Sequence, residues 1–224
     1  MSKLELSVLI PWRTDNGPRA RVFDHVLSLW NLTGADICIG TDTGEGPFNC
    51  AMAQNDAFRK AKYNNLVMFG ADMLPDIGVI QAATERLANE AWFPLFEQTA
   101  YFSEADTETL LRGPGAPYTP LGYQHLVPFC TGVVGLTRET YIEAGGMDER
   151  FMGWGMEDAA FRHTLHSLYP NAVAFPATCV CLWHPEGDRG HSSQNNWDLI
   201  REYEARPERK QILEYLAERG SFVT

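Results

Sequence analysis

Residues 4–13 have the sequence LELSVLIPWR, a short apolar run that Pro11 stops. Such a run predicts a buried strand, because a proline cannot continue the hydrogen-bonded ladder. Strands that alternate with helices predict an open α/β sheet, mostly parallel and flanked by helices. The alternation continues with a helix over 19–31, a strand over 35–40, a helix over 48–62 capped by Asn49, a strand over 65–69 and a helix over 76–89.

The carboxyl ends of the three predicted strands are candidate site positions, because open α/β sheets bind ligands there. These ends are residues 11–13, 40–42 and 70–72. Residues 103–128 hold several Pro and Gly and few periodic apolar positions, which predicts a long functional loop. Beyond it the pattern predicts a strand over 129–136, a helix over 138–144, a helix over 157–168, one or two strands over 172–183 and a helix or helix pair over 197–218.

The charge and cysteine content narrow the classes of function. The 224 residues carry a net charge of −11, and no basic stripe is visible, so a protein that grips nucleic acid through its phosphates is disfavoured. The five cysteines are odd in number and form no Cys-x-x-Cys pair, which predicts reduced thiols, a cytoplasmic location and no structural zinc site. No apolar run reaches 18 residues, so no membrane span is expected.

Asp72 and His184 are the candidate metal ligands. Asp72 follows a buried strand, where a carboxylate is costly unless it is paired or bound to a metal, although a turn aspartate fits the same position. His184 follows the apolar run 180–183, and a strand-end histidine bonded to the backbone is the plainer interpretation for it alone. Cys181 could reach the same ion, but a thiolate suits Mn²⁺ or Mg²⁺ poorly, which favours a buried thiol.

Glu157 and Asp158 open a predicted helix directly after a Gly-Trp-Gly turn. Carboxylates in the first turn of a helix can simply complement its dipole. However, Gly153 and Gly155 free the backbone around Trp154, so its ring can stand out from the chain. A protruding Trp beside two carboxylates suits a sugar, because the ring stacks on the apolar face and the carboxylates bind hydroxyl groups.

Several segments, in this order, resemble one family of enzymes. Residues 145–151 (GGMDERF) and 153–158 (GWGMED), preceded by 131–139 (TGVVGLTRE), resemble the GT-A glycosyltransferases of the β-1,4-galactosyltransferase and polypeptide N-acetylgalactosaminyltransferase type. The Gly-Trp-Gly-x-Glu-Asp block is the most specific of these. Four further segments resemble segments of the same family and occur in the same order along the chain. These are 10–13 (IPWR), 48–58 (FNCAMAQNDAF), 68–73 (MFGADM) and 181–184 (CLWH).

The resemblance implies a Rossmann-like GT-A fold and a role for each matching residue. It implies one domain over residues 1–224, with a nucleotide-binding half (1–100), an acceptor and catalytic half (101–196) and a C-terminal helical segment (197–224). The implied roles are nucleotide-sugar binding by Pro11, Trp12, Arg13, Asn49 and Asp72, Mn²⁺ or Mg²⁺ binding by Asp72 and His184, acceptor binding by Trp154, Glu157 and Asp158, and catalysis by Glu157 and Asp158, the latter as the base.

The sequence departs from the family pattern at three positions. Two lie on the side that would bind the donor, and one lies in the loop around Trp154. Gly70 stands where the first Asp of the Asp-x-Asp pair is expected, and Asp42 is the carboxylate that could compensate. Cys50 stands where the family has an arginine that contacts phosphate. Met156 replaces the second Gly of the Gly-Trp-Gly-Gly-Glu-Asp block and should stiffen that loop, while residues 186–196 could fold over the donor.

The predicted function is transfer of a sugar from a nucleotide-sugar donor, expected to be a UDP-sugar, to an acceptor hydroxyl with inversion. The acceptor stays open among a glycan, a protein and a modified nucleobase. Retention of configuration and a non-catalytic carbohydrate-binding module are the alternatives. A sugar nucleotidyltransferase is disfavoured because it would need a Gly-rich loop after the first strand. A glycosidase is disfavoured because it would not need the nucleotide-type strand ends.

Overall fold

The computed structural model describes residues 4–42, 46–112, 125–128, 132–153, 155–185 and 194–223. The strands in these ranges are β1 (Ser7–Pro11), β2 (Asp36–Gly40), β3 (Asn65–Met68), β4 (Met73–Leu74), β5 (Trp92–Pro94), β6 (Phe96–Tyr101), β7 (His125–Pro128), β8 (Val134–Thr137) and β9 (Phe175–Cys181). The helices are α1 (Pro18–Asn31), α2 (Cys50–Lys60), α3 (Ile77–Arg86), α4 (Glu104–Leu111), α5 (Arg138–Glu143), α6 (Glu157–Leu168), α7 (Gln194–Glu204) and α8 (Arg209–Arg219).

Strand β1 lies inside the larger sheet, whose order is β2-β1-β3-β8-β5. Its side chains alternate between two apolar clusters: Leu9 packs into one, and Val8 and Ile10 pack into the other. A strand buried on both faces explains the unbroken apolar run of the sequence. Burying each of these aliphatic side chains stabilises the fold by about 1.5–3 kcal/mol.

The expectation of a mostly parallel sheet is corrected to a mixed one. Strand β1 pairs in parallel with both β2 and β3, whereas β8 pairs antiparallel with β3 and with β5. The apolar pattern predicts that β8 is a strand, but it does not encode the direction in which a strand pairs. The parallel part brings the ends of β1, β2 and β3 to one edge, as the site prediction requires.

A second sheet has the order β4-β9-β6-β7. In it β9 pairs in parallel with β6 and antiparallel with β4. Strands β4, β5 and β6 are absent from the sequence prediction because β4 and β5 have only two and three residues and β6 has mixed polarity. This second sheet matters for the site, since β4 begins directly after Asp72 and β9 leads to His184.

The loop predicted over 103–128 is wrong in part. Helix α4 begins after Ser103, whose side chain accepts a hydrogen bond from the Asp106 amide, and β7 occupies the end of the segment. Residues 113–124 lie outside the described ranges. The Ser-x-x-Asp spacing is a helix-start signal that the sequence does contain. The helix also fixes the end of β9, because the Trp183 amide donates to Thr107 Oγ1 at 2.8 Å.

Other predicted elements agree with the structure within a few residues. Helix α6 has the predicted bounds, α2 begins after Asn49, whose Oδ1 accepts from the Met52 amide at 2.8 Å, and the C-terminal segment forms two helices on either side of Pro207. No helix within the described ranges is long and apolar enough to cross a membrane.

Asn55 ties helix α2 to the segment before α6. Its side chain is 0% exposed. Its Oδ1 accepts from Tyr141 Oη (2.8 Å) and from the Met147 amide (3.0 Å), and its Nδ2 donates to the Met147 carbonyl (2.9 Å) and to Glu149 Oε1 (2.8 Å). All four hydrogen bonds of one amide are therefore used inside the protein.

Replacing Asn55 with Ala should lower the free energy of unfolding by about 2–4 kcal/mol, because buried donors and acceptors lose their partners. Urea unfolding of the variant measures this loss. Asn89→Ala, at an exposed position, is the control and should change the free energy by less than about 0.5 kcal/mol. Equal effects of the two substitutions would contradict the assigned role of Asn55.

Candidate functional site

The ends of β1 and β2 form one wall of the candidate site. The Trp12 amide donates to the Gly40 carbonyl at 2.8 Å, directly after Pro11 pairs with Gly40. The Trp12 ring stacks on Phe23 of α1, with centroids 4.3 Å apart and an interplanar angle of 26°. Strand pairing and ring stacking together fix the position that the resemblance assigns to the nucleotide.

Arg13 and Asp42 hold each other at this wall. Arg13 Nε donates to Asp42 Oδ1 at 2.8 Å, Nη2 pairs with Oδ2, and Nη1 donates to the Gly46 carbonyl at 2.8 Å. The Asn49 amide also donates to Asp42 Oδ2, and the Asp42 side chain is 1% exposed. Asp42 is thus engaged with Arg13 and α2, and a direct contact of its carboxylate with a nucleotide would require displacing Arg13.

Asn49 has its side chain turned toward the segment before α6. Besides capping α2 with Oδ1, it donates from Nδ2 to the Glu149 carbonyl at 2.8 Å and contacts Met152 Sδ at 3.2 Å. From the other side, Asn196 of α7 donates to the carbonyls of Met152 and Gly155, both at 3.0 Å. The side chains of Asn49 and Asn196 therefore position the start of α6.

Asp72 and His184 are brought together by the second sheet. Met73 of β4 pairs with Cys181 of β9, and the Leu182 amide donates to the Asp72 carbonyl at 2.8 Å. His184 Nε2 then lies 3.1 Å from Asp72 Oδ2, and the two side chains are 20% and 25% exposed. The predicted metal pair is therefore formed by residues that lie 112 positions apart in the chain.

The hydrogen bonds of His184 suit a metal ligand. Nδ1 lies 2.8 Å from the Pro185 carbonyl, and since a carbonyl only accepts, Nδ1 must carry a proton. Nε2 donates to Asp72 Oδ2 when it is protonated, and a metal ion bound there would take the place of that proton, an arrangement typical of ligating histidines. The hydrogen bond to Asp72 raises the pKa of His184. Burial is the largest influence on Asp72 and opposes its ionisation, but the hydrogen bond from His184 together with the charges of His184 and Arg19 outweighs it, so the pKa of Asp72 is lowered.

Cys181 is a buried thiol beside the metal pair, with Sγ 3.5 Å from Asp72 Oδ2. Within the described part of the chain, no group of three His, Cys, Asp or Glu residues could hold a metal ion. Two protein ligands still fit Mg²⁺ or Mn²⁺, because such ions commonly complete their shell with substrate phosphates and water. Asp72 and His184 therefore suit a hard ion that they would share with a bound substrate.

Three of the described residues in the turn before α6 have a positive φ angle. Gly153 has φ 74°, Gly155 has φ 100° and Met156 has φ 76°. Trp154, the predicted sugar platform, lies outside the described residues, as does most of the proposed lid over 186–196. Met156 stands at the family's second Gly, and its left-handed conformation explains why a glycine is favoured there.

Glu157 is an unusually placed carboxylate at the first turn of α6. Burial and the neighbouring charge of Asp158 raise its pKa to about 7, although Cys50 donates a hydrogen bond to it. Its Oε2 is buried and has no hydrogen-bond partner among the described residues. Buried polar atoms without partners are rare in proteins, and at a surface site they indicate a position where a ligand group binds.

Cys50 brings the amino ends of α2 and α6 together. It is the first residue of α2 and contacts Glu157, the first residue of α6. Burial, followed by the charges of Glu157 and Asp158, raises the pKa of the Cys50 thiol well above its usual value. The position where the resembled family has an arginine is thus occupied in this chain by a neutral group that touches a carboxylate.

Asp158 lies beside Glu157, opposite Gly132. Its Oδ1 accepts from the Ala159 amide at 2.7 Å, and a Cβ added at Gly132 would lie 3.8 Å from its Oδ2. A methyl group at position 132 would therefore only make ordinary van der Waals contact with this carboxylate. The structure brings together Glu157 with Asp158, Asp72 with His184, and Arg13 with Asp42. It also adds Cys50 to the site, which the sequence identified only as a departure from the family.

Comparisons with known proteins bear on the fold of the chain. A family described as the N-terminal domain of galactosyltransferase matches residues 119–169, and no curated protein sequence matches. Among solved structures, GalNAc-T7 with UDP, GalNAc and Mn²⁺ superposes with a TM-score of 0.54 at 13% identity, over 99% of this chain and 55% of that one. Mannosyltransferase PcManGT from Pyrobaculum calidifontis, with GDP-Man and Mn²⁺, gives 0.50 at 15% identity, over 97% and 76%.

A variant of Drosophila β-1,4-galactosyltransferase 7, in complex with manganese, UDP-Gal and xylobiose, gives a TM-score of 0.45 at 18% identity, over 75% of this chain. The present chain spans 63% of the length of that protein and 55% of GalNAc-T7. The predicted fold is confirmed: the chain has the GT-A fold of glycosyltransferases, with a mixed rather than mostly parallel sheet.

The raised pKa of Glu157 predicts a pH dependence of stability. Its folded-state pKa of about 7 lies above the ordinary value of 4.5, so its contribution is complete below pH 4.5 and is lost as the pH rises through 7. Glu157→Gln removes this titration. Between pH 5 and 8 the free energy of unfolding of the wild type should fall by about 1–3 kcal/mol relative to this variant, measured by urea unfolding.

Glu218→Gln is the matched control, because Glu218 is exposed on α8. Its stability curve should run parallel to that of the wild type over the same pH range. A Glu157→Gln curve that also runs parallel would show that Glu157 titrates as an ordinary exposed carboxylate.

Proposed function

We propose that this chain is a metal-dependent glycosyltransferase that moves a sugar from a nucleotide-sugar donor to an acceptor hydroxyl group. The observation that carries the proposal is the pairing of Asp72 with His184 at the edge where β1, β2 and β3 end. A partly buried carboxylate and imidazole at the ligand-binding edge of a GT-A fold suit an ion and a diphosphate.

Asp72 and His184 would hold Mn²⁺ or Mg²⁺ through Oδ2 and Nε2. When bound, the ion would act as a Lewis acid on the leaving diphosphate. The hydrogen bond from His184 Nδ1 to the Pro185 carbonyl would keep the imidazole oriented toward the ion. Pro11, Trp12 and Arg13 would form the wall against which the nucleotide lies.

Asp158 is the proposed base, and Glu157 is its partner in acceptor binding. Burial and the neighbouring charge of Asp158 raise the pKa of Glu157, which favours keeping a proton on Glu157. Glu157 can then donate a hydrogen bond to an acceptor oxygen, while Asp158 accepts the proton of the attacking hydroxyl. A base opposite the leaving group gives direct displacement, so we propose inversion at the anomeric carbon.

For the donor and the acceptor we propose chemical classes of molecule. The similar structures were obtained with UDP in one case and GDP-Man in another, which supports a nucleoside diphosphate sugar, with a UDP-sugar tested first. The proposed acceptor is a hydroxyl of a glycan, a protein or a modified nucleobase, and Trp154 remains its predicted platform. The proposed compartment is the cytoplasm.

We further propose that residues 1–224 act as one GT-A domain. In that division the nucleotide-binding half (1–100) supplies Asp72, and the acceptor and catalytic half (101–196) supplies His184. The C-terminal segment (197–224) packs its helices against α6, and α7 contributes to the cluster that also buries Phe161 and Leu165. The ion would then bridge the two halves.

Calorimetry with UDP tests the metal site. Wild-type protein should bind UDP at least tenfold more tightly with Mn²⁺ than with EDTA, and His184→Ala should lose most of that gain because one of two protein ligands is missing. His125→Ala, at an exposed position of the edge strand β7, is the control and should retain it. UDP affinity that is independent of Mn²⁺ would contradict the proposed metal site.

Asp158→Asn tests the assignment of the base. UDP release from a panel of UDP-sugars, with simple glycans as acceptors, should fall by about 10²–10⁴-fold. The dissociation constant of UDP should stay within about twofold, because the change lies on the acceptor side. Asp198→Asn, at an exposed position of α7, should leave both quantities unchanged.

Full activity of Asp158→Asn would remove Asp158 as the base. Wild-type protein that binds simple sugars but neither UDP nor Mn²⁺ would instead support the non-catalytic carbohydrate-binding module. The anomeric configuration of the product, followed by NMR, separates inversion from retention.

A further inference from the structure

A donor diphosphate requires positive charge, and in this site the expected cationic side chains are either absent or engaged with other groups. The position where the family has its phosphate-binding arginine is Cys50, which contacts Glu157. Arg13 is held by Asp42 and the Gly46 carbonyl. The lysines at the end of α2 and just after it are engaged elsewhere, Lys60 with Asp56 and Lys62 with Asp36.

Arg19, in the first turn of α1, is oriented by an aromatic platform. Its guanidinium Cζ lies 5.3 Å from the centroid of the Trp12 ring, and Trp12 itself stacks on Phe23. The Arg19 amide donates to Asp15 Oδ2 at 3.1 Å, which fixes the backbone of this turn. Stacking on a ring face holds the plane of a guanidinium while leaving its N–H groups in that plane free to donate.

The Arg19 side chain has unused hydrogen-bonding capacity. Its Nε is buried and has no hydrogen-bond partner among the described residues. A buried donor without an acceptor is rare, and for a charged group it is more costly than for a neutral one. By contrast Arg21, two residues further along α1, makes a two-fold hydrogen bond to Glu108 at 2.9 and 2.8 Å.

The position of Arg19 relative to the site follows from both structure and charge. Helix α1 packs against β4, which begins directly after Asp72. The Arg19 guanidinium also lies close enough to Cys50 for its positive charge to act on the thiol, as a smaller contribution that lowers the pKa of Cys50. One cation therefore lies near the position from which the family arginine is missing, on a helix that packs against the strand next to the metal pair.

We propose that Arg19 is the diphosphate-binding arginine of this chain and takes the place of the family arginine at the position of Cys50. The proposal rests on the function proposed above, since it specifies how the same site holds its donor. A guanidinium matches two phosphate oxygens with two parallel hydrogen bonds, and the Trp12 platform sets the plane in which they form. The small Cys50 side chain leaves this space to a residue that enters from α1.

The test compares Arg19→Gln with Arg21→Gln, which removes the same charge from the same helix outside the site. Binding of UDP in the presence of Mn²⁺ is measured by calorimetry at 50 and 200 mM NaCl, and binding of uridine by ligand-observed NMR. Arg19→Gln should weaken UDP binding by about 10–100-fold and reduce its salt dependence, while uridine binding stays within about twofold. Arg21→Gln should behave as the wild type in all measurements.

Arg19→Lys is a second variant for the case that the glutamine variant folds poorly, as judged by circular dichroism. It keeps the charge but loses the two-fold hydrogen bond, so UDP binding should weaken by about 3–10-fold with uridine unaffected. UDP binding by the Arg19 variants equal to that of Arg21→Gln would overturn the inference and leave the proposed function standing. An equal loss of UDP and uridine binding would also overturn it, because Arg19 would then support Trp12 alone.

The proposed function can fail separately. If the wild type binds neither UDP nor GDP with Mn²⁺ present, the donor site itself is absent, and the role of Arg19 falls with it.

Discussion

Strand β1 is hydrogen-bonded in parallel to a neighbour on each side, and this arrangement sets the position of every group on the donor side. Parallel neighbours end at the same edge, so residues after β1, β2 and β3 meet although they are separated by tens of residues in the chain. Arg13 reaches Asp42 across this edge, and Trp12 lies on Phe23. Asp72 then follows the third strand, where the second sheet delivers His184. An insertion in any of these strands would shift one of these pairs relative to the others.

The site places several carboxylates close together in a chain with a net charge of −11. Each one is accommodated in a different way. Asp42 is neutralised by Arg13, Asp72 is paired with His184, and Glu157 has a raised pKa that favours its protonated form. Such individual solutions are expected where charges must be buried, since an unpaired buried charge costs several kcal/mol.

The sequence predicted those parts of the fold that depend on local patterns. Asn49 as a helix cap, the bounds of α6 and the three parallel strands follow from periodicity and capping chemistry. Strand β4, with two residues, has no periodicity of its own and forms because β9 lies beside it. The candidate residues could be identified from their residue types, but the residues that they contact could not be identified in this way. Nothing in the sequence shows that Asp42 is enclosed by Arg13 or that Asn49 binds the Glu149 carbonyl, since both contacts depend on how distant segments pack.

The replacement of an arginine by Cys50 links the two sides of the site. An arginine at the start of α2 would lie against Glu157 and would lower the pKa of that carboxylate by its charge. The Cys50 thiol is neutral, because burial raises its pKa, and it offers Glu157 only a weak hydrogen bond. Glu157 therefore keeps its raised pKa. Cys50, which the sequence presents as a loss on the donor side, thus also affects the carboxylate at the first turn of α6.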